Sequence, residues 1–327
     1  MRSRVNKPLL AAFFVLCLTG CESLVMHQLL SSSSYSAVAS VTAKLKSEFD
    51  IQTREFCDTE LGCYRYYFAA NKSDMSKLEL NTRVQFHEGE YASELALERK
   101  DLPDFHGSVV IVHGFRASKD WSLLSAAYFQ FLGFDVYVLD LLGHGELDAP
   151  IGFGVKDADY IQRFIEAQVP KDKPIIALGN SIGGLVATYL ANRDTVDAAI
   201  LQAPMTQLGS SLQGYVRDTK PWFGFLLSDE TLNNGATKAL AERNLRPQQT
   251  DTVALLKQSH SPFLIFASNI DSGSPYSVFA DIRANNIKVI EVDGVEHAYM
   301  SLIGQSEHDA IVSWLGSIEP FKELELQ

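Results

Sequence analysis

The chain has 327 residues and a formal net charge of -12; 46% of it is hydrophobic and 21% charged. That is ordinary for a globular protein and supplies a core for one large or two small domains. The acidic balance and the absence of a Lys/Arg cluster argue against a nucleic-acid partner, because phosphate binding needs grouped cations.

At the N-terminus, Arg2, Arg4 and Lys7 precede an apolar run, Leu9 to Leu18, that is too short to span a bilayer. The next residues, L-T-G-C at 18–21, resemble a bacterial lipobox. This resemblance implies a signal peptide over 1–20, a lipid on Cys21 and attachment to a membrane; Glu22 after the cysteine favours the outer membrane of a bacterial envelope. An ordinary secretory signal with an incidental Cys21 is the alternative. Residues 21–45, with their run of four serines, are expected to form a lipid-anchored tether. Cys17 leaves with the signal. Cys57 and Cys63, in C-D-T-E-L-G-C, are expected to pair as a disulfide in an oxidising compartment. No second Cys or His pair stands near them at ligand spacing, so no metal site is expected.

The rest, 46–327, is expected to be one α/β domain. Strand-like stretches at Tyr64–Ala69, Arg83–His87 and Leu95–Arg99 suggest an antiparallel start to a sheet. Continuous apolar runs follow at 108–112, 134–139, 174–178, 198–201, 262–267 and 287–292. Strands buried on both faces read this way. Amphipathic helices lie between them. One carries Trp121, Leu124, Tyr128 and Phe131 on one side and stops at Gly133; another carries Ile161, Phe164, Ile165 and Val169. The alternation predicts a mostly parallel sheet with helices on both faces. Residues 205–258 break it. They read as a helical cap inserted above the C-terminal edge of the sheet, where such folds bind ligands.

One tight turn stands out. G-N-S-I-G-G, residues 179–184, follows a strand and opens a helix, the setting of a nucleophile elbow with Ser181 at its tip. A serine needs a base, and His297 in G-V-E-H follows the last strand at the same edge. Asp271 in S-N-I-D-S-G is the expected orienting carboxylate; Asp293 and Glu296 are rivals too near His297 in sequence to orient it easily. The oxyanion donors are expected to be the N–H groups of Ile182 and of Phe115, in H-G-F-R after strand 108–112. His113 in that motif is expected to shape the loop through backbone hydrogen bonds. No cofactor is needed for this chemistry.

These motifs together resemble an α/β-hydrolase of the monoacylglycerol lipase/lysophospholipase, or serine aminopeptidase-like, group. The matching stretches are H-G-F-R-A-S-K-D-W (113–121), D-L-L-G-H-G-E (140–146), G-N-S-I-G-G (179–184), Asp271 and G-V-E-H (294–297). The resemblance implies a serine-dependent hydrolase of carboxylic esters, small or lipid-like, with a helical cap over an acyl pocket. Trp222, Phe223 and Phe225, with Leu226 and Leu227, are expected either to line that pocket or to pack the cap on the core. Glu146, Asn180 and the aspartate loop depart from the family's usual residues, which bears on substrate rather than on the triad. A thioesterase or acyltransferase using the same residues, and a non-catalytic envelope lipoprotein on this scaffold, are the competing readings.

Overall fold

The computed structural model describes residues 20–31, 34–35, 37–86, 89–221, 224, 227–318 and 321. Most of the expected signal peptide, and Trp222, Phe223, Phe225 and Leu226 of the expected acyl wall, lie outside the described residues.

An eight-stranded sheet forms the body, in the order β1-β2-β6-β5-β7-β8-β9-β10. Its parallel part is β5 (Ser108–Val112), β6 (Asp135–Leu139), β7 (Ile175–Asn180), β8 (Ala198–Gln202), β9 (Phe263–Ser268) and β10 (Ile287–Val292). These lie within a residue or two of the apolar runs in the sequence. The reason is burial: every residue of β5, β8 and β9 is buried, so both faces must be apolar. The strand order reverses around β5, which puts the ends of β5 and β7 at a crevice.

The antiparallel edge differs from expectation. β1 (Gln52–Asp58), which alternates too weakly to show in sequence, pairs with β2 (Gly62–Ala69), and β2 pairs antiparallel with β6. Cys57 faces Cys63 across that hairpin and the two are joined by a disulfide. β3 (Lys77–Phe86) and β4 (Gly89–Glu98) do not extend the sheet; they form a separate ribbon. Its alternating Leu78, Leu80, Leu95 and Leu97 are buried in one core cluster with α3 (Leu123–Leu132), which gives the ribbon its own apolar face.

Helices cover both faces. On one, α3 and α10 (Gln305–Leu315) pack on the sheet; on the other lie α4 (Val155–Gln168) and α5 (Ile182–Asn192). α3 is buried almost all round rather than on one side, because the β3–β4 ribbon covers its outer flank; Trp121 precedes it in a 3-10 turn and is exposed. Between β8 and β9 the chain forms α6 (Leu208–Thr219), α7 (Asp229–Ala241) and α8 (Thr252–Leu256).

The expected tether is not a free linker. Residues 20–30 form α1 and Ala39–Glu48 form α2. Val25 and Leu29, one helical turn apart, bury their side chains in the same cluster as cap residues Leu208, Leu232 and Ala236. The serine run hides this apolar pair from a compositional reading. Among the described residues no helix is long and apolar enough to cross a membrane.

Candidate active site

β7 runs into α5 with only Ser181 between their cores, so the chain must turn sharply. Ser181 takes φ 53° and ψ -115°, a left-handed conformation that costs a non-glycine residue roughly 1–2 kcal/mol. Neighbouring glycines permit the turn. A Cβ on Gly179 would stand 2.1 Å from the Gly183 carbonyl oxygen, and one on Gly183 would stand 2.3 Å from that of Val112. The elbow therefore presses the helix start against β5 and lifts the Ser181 side chain clear of the sheet.

His297 sits in a 3-10 turn after β10 and reaches the serine: Nε2 lies 3.0 Å from Ser181 Oγ. Its Nδ1 lies 2.6 Å from Asp271 Oδ2. Asp271 is buried, and its other oxygen accepts the N–H groups of Gly273 (2.9 Å) and Ser274 (3.0 Å). With both oxygens engaged, the carboxylate has one orientation and fixes the ring with Nε2 as acceptor toward the serine. Of the rivals, Asp293 accepts instead from Asn269 Nδ2 at 2.5 Å, and the Asn269 oxygen takes the Gly294 N–H. Asp271, not Asp293, is thus the acid on His297.

The H-G-F-R loop closes against this line. A Cβ on Gly114 would lie 2.8 Å from Asn180 Oδ1 and 3.4 Å from Ser181 Cβ, so only glycine lets the loop come this near. Ile182 begins α5, where an N–H has no acceptor within the helix. Among the described residues neither it nor the Phe115 N–H is hydrogen-bonded. The positive end of the α5 dipole lies behind them. His113 is a loop-shaping residue: Nδ1–H donates to Gly114 O (2.7 Å), and Nε2 accepts from Leu141 N–H (3.0 Å).

Sequence reasoning missed the group that ties this loop down. Lys119 is 2% exposed; its ammonium donates to Asp140 Oδ2 (2.6 Å) and Glu146 Oε2 (2.8 Å). Asp140 also accepts the backbone N–H groups of Lys119 (2.7 Å) and Glu146 (3.1 Å). Glu146, odd for the resemblance, bridges onward to Arg65 on β2. Nothing local betrays a buried lysine whose carboxylates lie 21 and 27 residues away. Beside it, His144 donates from Nδ1 to Leu142 O (2.9 Å) and sets its ring edge-on to Phe115 at 5.3 Å. Burial lowers its pKa to about 4, so it stays neutral and serves as a wall. Asp157 on α4 is also buried. Burial pushes its pKa up to about 6, against the N–H groups of Leu142 and Gly154 that it accepts at 2.7 Å each.

The cap reaches the site through α6. Ser211 Oγ donates to Gly273 O (2.7 Å), and Asp218 Oδ2 accepts the Ser272 N–H (2.8 Å). Phe115, Leu212, Val216 and Leu227 are half-buried apolar groups packed on the same core cluster.

Elsewhere, Glu55, Cys57 and Cys63 bring an oxygen and two sulfurs within 4.8 Å, but both sulfurs are spent in the disulfide and cannot act as thiolate ligands. A surface depression of about 440 Å³ beside α2, lined by Thr42, Lys46, Tyr67 and Asp120 among others, shares no residue with the Ser181 line.

Comparison with known proteins agrees with this architecture. Residues 103–272, just over half the chain, match the family described as serine aminopeptidase, S33. Over 118 residues the chain is 36% identical to a pimeloyl-[acyl-carrier protein] methyl ester esterase of Neisseria meningitidis serogroup C, covering 34% of this chain and 42% of the relative. The chain thus spans less than half the length of the curated relatives it matches. Among solved structures, an esterase of Pyrococcus furiosus superposes with a TM-score of 0.61 at 12% identity, covering 88% of this chain and 98% of that one. A membrane phospholipase A, described as a bacterial virulence factor, gives 0.55 at 18% identity, covering 96% and 99%. Identities this low speak for the fold alone. The chain belongs to the serine aminopeptidase (S33) family and has the α/β-hydrolase fold.

Proposed function

We propose that the chain is a serine ester hydrolase that cleaves lipid-like carboxylic esters, such as lysophospholipids or monoacylglycerols, through an acyl-enzyme. The observation that carries this reading is the unbroken hydrogen-bonded line from Ser181 Oγ through His297 to Asp271. His297 Nε2 takes the serine proton as Oγ attacks the ester carbonyl carbon. The carbonyl oxygen becomes an oxyanion facing the Phe115 and Ile182 N–H groups. Asp271 stabilises the imidazolium without taking its proton. His297 then protonates the leaving alcohol, and water repeats the two steps on the acyl-enzyme to release the acid.

Half-buried apolar residues support an acyl chain as the part recognised: Phe115 follows Gly114 beside Ser181, and Leu212 and Val216 lie on α6, which bonds to the loop after Asp271. The activity of the 36% identical relative, a methyl ester esterase, is acyl-ester chemistry. Lipidation of Cys21 and an outer-membrane location follow from the lipobox-like sequence. Cys21 is unpaired and partly exposed at the start of α1, as an acylated residue must be.

The test is a series of p-nitrophenyl esters from acetyl to palmitoyl, with lysophosphatidylcholine and monoacylglycerol alongside. kcat/KM rising with chain length, with free acid as product, supports the reading. Acyl groups passed to added glycerol would make the same site an acyltransferase. No turnover of any ester would favour a binding scaffold.

A further inference from the structure

From Ser23 to Ala43 the chain has no Asp, Glu, Lys or Arg, although 21% of the whole sequence is charged. This arm has two faces. The inner one is bonded to cap helix α7 and to the loops that follow β5 and β6. Glu22 Oε1 accepts from Asn234 Nδ2 (2.8 Å), and Oε2 pairs with Lys238 Nζ (2.6 Å), both on cap helix α7. Val25 rests on Gly235 of that helix, where any Cβ would lie 2.5 Å from it. Farther along, Arg116 of the oxyanion loop donates to Gln28 O (2.7 Å), Tyr35 N–H donates to Arg116 O (2.6 Å), and Gly145 N–H donates to Ser34 Oγ (3.2 Å).

The outer face is apolar and open. Leu24, Tyr35, Val38 and Val41 are 51–65% exposed. The other large apolar side chains exposed among the described residues are Trp121, Tyr215 and Ile270. Trp121 and Tyr215 meet the arm at Tyr35. Trp121 Nε1–H donates to Tyr35 O (2.9 Å), the Tyr215 hydroxyl on α6 is hydrogen-bonded to that of Tyr35, and Ile270 precedes Asp271 in the loop that α6 holds. Single exposed apolar residues are normal on any protein. Here Tyr35, Trp121 and Tyr215 meet through hydrogen bonds beside the loop of Phe115 and Arg116, on an uncharged arm, which is not.

We propose that this face seats on a neutral lipid surface, with the mouth of the Ser181 site opening toward it. The chemistry fits such a partner. Tyr and Trp, apolar with one polar handle, belong at a lipid–water boundary. The uncharged arm forms no ion pairs with a protein partner, and a chain of net charge -12 is repelled by anionic lipid. The apolar run Leu9–Leu18 stands next to this arm in the sequence. Taking the ester from the bilayer rests on the lipid-ester reading; the docking itself does not.

The test uses a chain beginning at Gly20 with Cys21→Ser, so that neither lipid nor signal contributes. Both core clusters lie between Val25 and Phe321, and this chain retains them whole. It is floated with phosphatidylcholine vesicles beside Leu24→Ser/Val38→Ser/Val41→Ser, with thermal unfolding as the check that both fold. The proposal expects flotation of the first and at least about a tenfold lower partition for the triple variant. Failure of the first chain to float, or equal flotation of both, overturns it. So does a dimer in sedimentation that the triple variant abolishes, since a second copy would then cover the face. Ser181→Ala in the same chain should float unchanged, whatever its activity, which separates docking from catalysis.

Discussion

At the sheet edge, Ser181, Asp271 and His297 are held by backbone: a strained elbow, two amides on one carboxylate, a short turn after β10. Beside it, the arm and the cap are held mainly by side chains, among them the ion pair from Glu22 to Lys238, the Arg116 guanidinium on Gln28 O and two buried aliphatics on α1, with one backbone bond from Tyr35 N–H to Arg116 O. Backbone-held groups keep their geometry through most side-chain changes, whereas a cover held by a few side chains shifts with them. On the proposed reading, chemistry belongs to the edge, and selection of the acyl group and of the surface to the cover.

The largest way to break that division is Ser181→Ala. It should lower kcat/KM by roughly 10,000-fold or more while leaving urea unfolding unchanged. Asp271→Asn should cost about 1,000-fold in kcat, while Asp293→Asn and Glu296→Gln stay within about twofold. A large loss at Asp293 would move the orienting acid. Lys119→Met tests whether the H-G-F-R loop belongs to the edge. Removing one partner of a buried ion pair leaves Asp140 uncompensated, so urea unfolding should show a loss of about 3 kcal/mol or more.

Asp157 gives a pH test of the same body. Its folded pKa is raised from 3.8 to about 6, so the folded state holds this proton more tightly than the unfolded one. The resulting stability is fully present below about pH 4 and is lost as pH rises through about 6. Relative to Asp157→Asn, the wild type should gain about 2 kcal/mol between pH 7 and about pH 4, read from urea midpoints. The smallest effect is on the cover. Val25→Ala should cost about 1 kcal/mol in global stability yet weaken the preference for long acyl chains. An equal loss on acetyl and palmitoyl esters would return α1 to a purely structural role.

The edge was legible because its signals are local. Six apolar runs became six parallel strands, and G-N-S-I-G-G lies on the strand–turn–helix that its glycines require. Asp271 and His297 could be placed because both follow strands at one edge. What could not be read depends on distant partners or competing cues. The β3–β4 ribbon looks like part of the sheet until its leucines are seen facing α3. Lys119 meets carboxylates from another loop. In the arm, four serines outweigh Val25 and Leu29 in composition, although those two decide where it packs.

The central claim is that Ser181 is an activated nucleophile. Fluorophosphonate labelling of the purified protein, followed by peptide mapping, tests it most directly. The account predicts one labelled peptide, carrying Ser181, and no label on Ser181→Ala or His297→Ala. A folded protein that stays unlabelled in detergent, or a label on another serine, would contradict it.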